Sequence, residues 1–140
     1  MKVFPDTNVL ASAFGTRGLC ADVLRLIIEQ HELVTGEVVI EELRRVLRQK
    51  FRVPADTVAE VESFLCGYQV APKPREVPDL VLGDRNDLLV IGSALHAGAK
   101  ILITGDREML ELAPKPVRLR ILNPRQFWNL ANRKKNGMRG

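Results

Sequence analysis

Short apolar runs alternate with amphipathic segments along the chain, and the spacing inside each segment predicts its structure. MetLysValPhe at the N-terminus reads as a strand that Pro5 ends. In residues 21–31, Val23, Leu24, Ile27 and Ile28 recur at helical spacing, and Glu32 to Thr35 follows as a second strand. Residues 37–50 form an amphipathic helix whose buried arc is Val39, Ile40, Leu43, Val46 and Leu47. Pro54, with Asp56 behind it, opens another helix that runs to about Leu65 and closes at Gly67. A short strand at Gln69 to Ala71 leads into the proline-rich stretch AlaProLysProArgGluValProAsp. A helix then covers Arg85 to Ala97, with Gly98 as its stop, followed by a buried strand at 100–104. Val117 to Leu122 is the last strand, and Pro124 starts a final helix that frays into a basic tail.

Strands separated by helices imply parallel pairing through right-handed crossovers, so the expected class is α/β. The expected arrangement is three α/β/α layers around a parallel sheet of about five strands. The carboxyl ends of the strands then share one edge, where ligands of such sheets bind. No repeat or linker interrupts the pattern, and 140 residues suit one domain, expected at 1–132, with a flexible basic tail at 133–140.

Composition changes this picture in two ways. Twenty-one Lys and Arg against 17 Asp and Glu leave a formal charge of +4, which favours a polyanionic partner. Cys20 and Cys66 lie far apart in apolar surroundings in a chain without a secretory signal, so reduced, buried thiols and a cytoplasmic location are expected. No apolar run reaches the roughly 18 residues of a membrane-spanning helix, so no membrane association is expected.

Four acids stand where an α/β sheet presents chemistry. Asp6 follows the first strand directly, and Asp106 follows the strand at 100–104 through ThrGly, although either could be a helix N-cap. Glu42 borders the buried arc of its helix while Glu41 faces away; its plainer use is an ion pair with Arg45. In AspArgAsnAsp, Asp84 fits an N-cap and Asp87 shares a face with Ile91 and Ala94 on a helix apolar nearly all round, so Asp87 should point inward. Carboxylates gathered together raise one another's pKa, and a cation relieves the cost. An all-oxygen set suits Mg²⁺ or Mn²⁺ rather than zinc, and His31 and His96 are expected on the surface. No GxSxG elbow, Walker loop or GxGxxG after a strand competes with metal-assisted hydrolysis.

AspThrAsnValLeu, ValValIleGluGluLeu, AspArgAsnAsp before an apolar helix, and IleLeuIleThrGlyAsp, in that order, resemble the PIN-domain family across nearly the whole chain. The closing IleLeuAsnProArgGlnPhe is similar to the VapC-like subgroup, the toxin components of toxin–antitoxin systems. The resemblance implies an endoribonuclease with a catalytic tetrad at Asp6, Glu42, Asp87 and Asp106. It also implies metal held by Asp6, Asp87 and Asp106, and support from Asn8, Thr104 and Asp84, with Asp84 able to assist or replace Asp87. Further implications are a cognate antitoxin, a homodimer and products bearing 5′-phosphate and 3′-hydroxyl ends. RNA must approach an acidic site, and Arg44, Arg45, Arg48, Lys50 and Arg52, with Arg85 and Arg107 beside the acids, are the expected cationic rim. Two alternatives remain open on sequence: a non-catalytic module of the same fold that binds RNA or protein, and a receiver-like Mg²⁺-binding signalling domain.

Overall fold

The computed structural model describes residues 1–80, 82–112, 116 and 118–139, with side chains as far as 133. Five parallel strands, β1 (Lys2–Pro5), β2 (Glu32–Gly36), β3 (Gln69–Ala71), β4 (Ile101–Ile103) and β5 (Arg120–Leu122), form one sheet in the order β3-β2-β1-β4-β5. Helices α1 (Thr7–Gly15), α2 (Leu19–Gln30), α3 (Glu37–Gln49), α4 (Ala55–Cys66), α5 (Arg85–His96), α6 (Arg107–Leu110) and α7 (Pro124–Arg139) flank it, giving the expected α/β/α layers. The order differs from the roughly 2-1-3-4-5 arrangement of flavodoxin-like and receiver-like folds. The receiver alternative therefore falls.

The central strands read as unbroken apolar runs because helices cover both faces: Val3, Phe4, Leu102 and Ile103 are fully buried. Pro5 is tolerated in this central position by the register. Pairing with β2 is recorded at Lys2 and Val3, whereas pairing with β4 continues to Pro5↔Ile103, and the next amide, Asp6 N–H, donates to the Ile103 carbonyl at 2.7 Å.

Two helices go beyond the sequence expectation. α1 leaves β1 with no loop, because Asp6 both ends the strand and caps the helix, and the helix buries Val9, Leu10 and Ala11. Apolar residues at 9, 10, 13 and 14 carry the helical period, but a nine-residue helix fused to a strand has no turn signal to announce it. α6 is a single turn capped by Asp106. The last two strands are shorter than expected: β4 spans three residues rather than 100–104, and β5 begins at Arg120, while Val117 lies outside the described residues.

α5 ends as expected at Gly98, whose φ of +74° is open to glycine at little cost. Gly98 N–H donates to the Leu95 carbonyl and Ala99 N–H to the Ala94 carbonyl, the paired bonds of a Schellman ending. The helix is less apolar than its sequence suggests, since Leu95 and His96 face solvent. The thiols also depart from expectation: Cys66 is exposed and Cys20 half-buried, because the first ends α4 and the second sits in the first turn of α2. His31 is not a plain surface residue either; it is half-buried, its ring edge-on to Phe127 at 5.8 Å between centroids.

Candidate active site

From β1 the chain works outward through β2 to β3, then returns to β4 on the other side of β1, so the strand order reverses between β1 and β4. At such a reversal the connecting segments leave in opposite directions and open a crevice at the carboxyl ends of the two strands. Asp6 leaves β1 and Thr104-Gly105-Asp106 leaves β4 at that point. One hydrogen-bonded chain joins them. Thr104 Oγ1 donates to Asp6 Oδ2 at 2.8 Å, and the Asp106 backbone N–H donates to Thr104 Oγ1 at 3.0 Å. Asp6 Oδ1 accepts from Thr7 N–H at 2.7 Å, and Asp106 Oδ1 from Met109 N–H at 3.2 Å. Both acids are thus helix caps, and capping fixes their orientation without using every oxygen lone pair.

Asp84 caps α5, accepting from Asn86 N–H at 2.8 Å, and is itself exposed. Asp87, one turn further on, is only 9% exposed. Half-buried Glu42 takes a hydrogen bond from Asn86 Nδ2, and not from Arg45, the plainer use its sequence position also allowed. Asn86 was not anticipated from sequence, although an amide between two acids at a helix start is a signal for such a partner. Glu108 was also missed, and it acts on Asp87 electrostatically.

Electrostatics tie the four acids together. Burial pushes the Asp6 carboxyl above its ordinary value; the hydrogen bonds from Thr104 and Thr7 pull it down, and the charges of Glu42 and Asp106 push it up again. Asp87 is pushed up to about 7, by burial first and then by Asp106, Asp84, Asp6 and Glu108. Such a group is poised between charged and neutral forms because burial and neighbouring acids both disfavour the anion, a cost that positive charge would offset.

A divalent cation would supply that charge, and the donors are all oxygen, as Mg²⁺ or Mn²⁺ prefers. Among the described residues, however, no three His, Cys, Asp or Glu side chains converge closely enough to form a direct cage. Carboxylates several ångströms apart still repel strongly, whereas direct Mg²⁺ ligands lie at about 2.0–2.1 Å, and this ion usually keeps several waters and takes only one or two carboxylates. The residues therefore fit a hydrated ion gripped directly by one or two acids and through water by the others. Zinc does not fit, since exposed His96 lies at the opposite end of α5 from Asp87.

The cationic side chains divide into separate groups. Arg44 pairs with Glu62 of α4, and Arg48 Nη1 donates to the Val53 carbonyl at 3.4 Å, so both are engaged on the α4 side. Arg45 lies on the other flank, beside Glu42. Arg85 and Arg107 are exposed, each one residue after a capping acid, and Lys50 lies near the Phe51 ring. Arg52 is exposed, with its backbone at a φ of +53°. Asn8, expected as a supporting polar group, is exposed in the first turn of α1.

A family model described as PIN domain matches residues 2–108, a span that contains all four acids. The chain belongs to the PIN-domain family. Members of this family are nucleases and generally depend on a divalent metal. Among solved structures, a chain of VapBC2 from Rickettsia felis, bound to a DNA fragment from their promoter, resembles this PIN domain with a TM-score of 0.63. The match covers 88% of this chain and 98% of that one at 17% identity, a likeness of fold. No curated protein matches the sequence. Among the described residues, no helix of this PIN domain is long and apolar enough to cross a membrane.

Proposed function

We propose that this PIN domain is a Mg²⁺- or Mn²⁺-dependent endoribonuclease, acting in the cytoplasm as the toxin of a toxin–antitoxin pair. The observation that carries the proposal is the convergence of acids from four elements spread over the chain: Thr104 bridges Asp6 and the Asp106 backbone, Glu42 and Asp106 act electrostatically on Asp6, and Asp6 and Asp106 act on Asp87. Asp6, Asp87 and Asp106 would hold the cation, directly or through water, and the ion when bound would offset phosphate charge as the scissile bond breaks. Glu42, steered by the Asn86 amide, orients the attacking water and accepts its proton. The water oxygen bonds to phosphorus while the bond to the 3′ oxygen breaks and that oxygen takes a proton from solvent, giving 5′-phosphate and 3′-hydroxyl ends. Thr104 holds Asp6 and the Asp106 backbone in register with each other.

The deciding experiment incubates the purified protein with structured and unstructured RNAs, with and without divalent ions. Cleavage that needs the ion, and that Asp6→Asn and Asp106→Asn abolish while the circular dichroism spectrum is kept, is the expected result. Undiminished cleavage by both variants, or cleavage that persists in EDTA, would refute it. The fold likeness to VapBC2, whose name joins two components, supports an antitoxin partner. Growth arrest by this chain alone, relieved by the product of an adjacent small gene, is expected, and harmless overexpression would count against it. Free cysteines fit a reducing compartment. The homodimer implied by the resemblance is expected in light scattering, and a monomer mass would deny it.

A further inference from the structure

We infer that the amino-terminal edge of the sheet, where Lys2, Lys100, Arg118 and Arg120 lie, is an anchoring surface for the phosphate backbone of long RNA, at the opposite edge from the acids. The inference rests on the nuclease proposal and deepens it, since it gives the substrate a second contact remote from the acidic site. Charge along the chain first points there. Residues 112–140 contain eight Lys and Arg and no Asp or Glu, whereas residues 1–111 contain 13 Lys and Arg against 17 Asp and Glu. The whole positive excess therefore comes from the segment that includes β5 and α7. Such asymmetry marks a region that meets a polyanion.

The fold adds two lysines to this segment. In sheet order the strands begin at Gln69, Glu32, Lys2, Ile101 and Arg120, with Lys100 directly before β4. Backbone bonds set three cations side by side: Lys100 N–H donates to the Lys2 carbonyl and Arg120 N–H to the Lys100 carbonyl, both at 2.9 Å. Neighbouring strands lie about 4.8 Å apart, so Lys2, Lys100 and Arg120 form a row with one cationic residue at each step. Lys100, Arg118 and Arg120 are exposed and Lys2 is half-buried, its ammonium 3.5 Å from the Ala97 carbonyl. Among the described residues, none of the four forms an ion pair with a carboxylate. The acids near this edge, Glu32 at the start of β2 and Glu29 in the last turn of α2, both belong to the β2 side, so the row keeps a net positive charge toward β4 and β5. The sheet is thus polarised along its strands: β1 leads from Lys2 to Asp6, and β4 from Lys100 to Asp106. At 3.3 Å per residue, Lys2 and Asp6 stand about 13 Å apart, so an RNA must round the flank of the sheet to touch both edges, and a few nucleotides cannot. Ile101 and Leu119, beside the row, are buried, so what the edge offers is charge, which suits a backbone rather than a base.

The test measures anisotropy of a fluorescent single-stranded RNA of about 20 nucleotides across a salt series, using the full chain in EDTA so that nothing is cleaved. The triple variant Lys2→Gln, Lys100→Gln, Arg120→Gln should bind about tenfold more weakly and lower the slope of log K against log salt by about 2. Should the triple variant lose its circular dichroism spectrum, the double variant Lys100→Gln, Arg120→Gln, confined to exposed residues, should lower the slope by about 1.4. Glu32→Gln, which removes an acid from the same edge, should act in the opposite direction and tighten binding about twofold. With Mg²⁺ added, the cation variants should raise KM for the long RNA at unchanged kcat, and leave cleavage of an RNA of about four nucleotides as in the parent. Unchanged affinity and slope, or an equal loss in cleavage of the short RNA, would overturn the anchor. If the parent binds the long RNA but cleaves neither, the nuclease proposal fails while affinity and slope still decide the edge. If it cleaves in Mg²⁺ but does not bind in EDTA, the anchor alone fails.

Discussion

Removing the charge of Asp87 should make the metal-free protein more stable at alkaline pH. Its carboxyl is pushed from an ordinary 3.8 to about 7 by burial and by Asp106, Asp84, Asp6 and Glu108. A folded-state pKa above the unfolded one means that the native protein keeps a proton the unfolded chain has released. The associated stability is full below about pH 4 and is lost as pH rises through about 7. At about 1.4 kcal/mol per pH unit the span corresponds to roughly 4 kcal/mol, and water on the open side of the cluster screens the repulsion to about half of that. Asparagine cannot ionise, so Asp87→Asn in EDTA should gain about 2 kcal/mol over the parent at pH 8, or about 6 °C in Tm, shrinking to about a third of that at pH 5. Thermal unfolding followed by circular dichroism at the two pH values measures both. Adding Mn²⁺ at pH 8 should raise the parent's Tm more than the variant's, because the ion supplies the charge that the variant no longer needs. A variant no more stable than the parent at pH 8, or a gain independent of pH, would refute the crowding of these acids.

Other substitutions probe the same physics elsewhere. Thr104→Val removes the donor to Asp6 Oδ2 and the acceptor for Asp106 N–H, and should cost about 1–3 kcal/mol in urea unfolding together with weaker Mn²⁺ binding by calorimetry. Gly98→Ala forces a Cβ into a φ of +74° and should cost about 1–2 kcal/mol, visible as a lower urea midpoint with an unchanged m-value. Phe127→Ala empties a buried site against the sheet and should cost about 3–5 kcal/mol. Thiol titration should be biphasic: Cys66 is exposed, whereas burial pushes the Cys20 thiol up, so Cys66→Ser should abolish the fast phase.

Much of this PIN domain can be read from local pattern. Apolar runs and hydrophobic period located the five strands and the helices α2, α3 and α5, Pro54 and Pro124 marked the starts of α4 and α7, and Gly98 marked an end whose positive φ glycine adopts at little cost. The position of Asp6 and Asp106 after strands, and of Glu42 at the border of its helix stripe, marked them as candidates because those spacings are local as well. What sequence could not convey was distance between elements. Only the reversal of strand order between β1 and β4 sets Asp6 beside Thr104, residues separated by 98 positions, and only the packing of α3 with α5 gives Glu42 to Asn86 instead of to Arg45 one turn away. Packing of α3 against α4 on one side and α5 on the other divides a cationic rim that looks continuous in sequence, sending Arg44 to Glu62 and leaving Arg45 beside Glu42. Periodicity is a property of neighbours along the chain, whereas the charge felt at Asp87 includes Asp106, Asp6 and Glu108, which only folding brings into its reach.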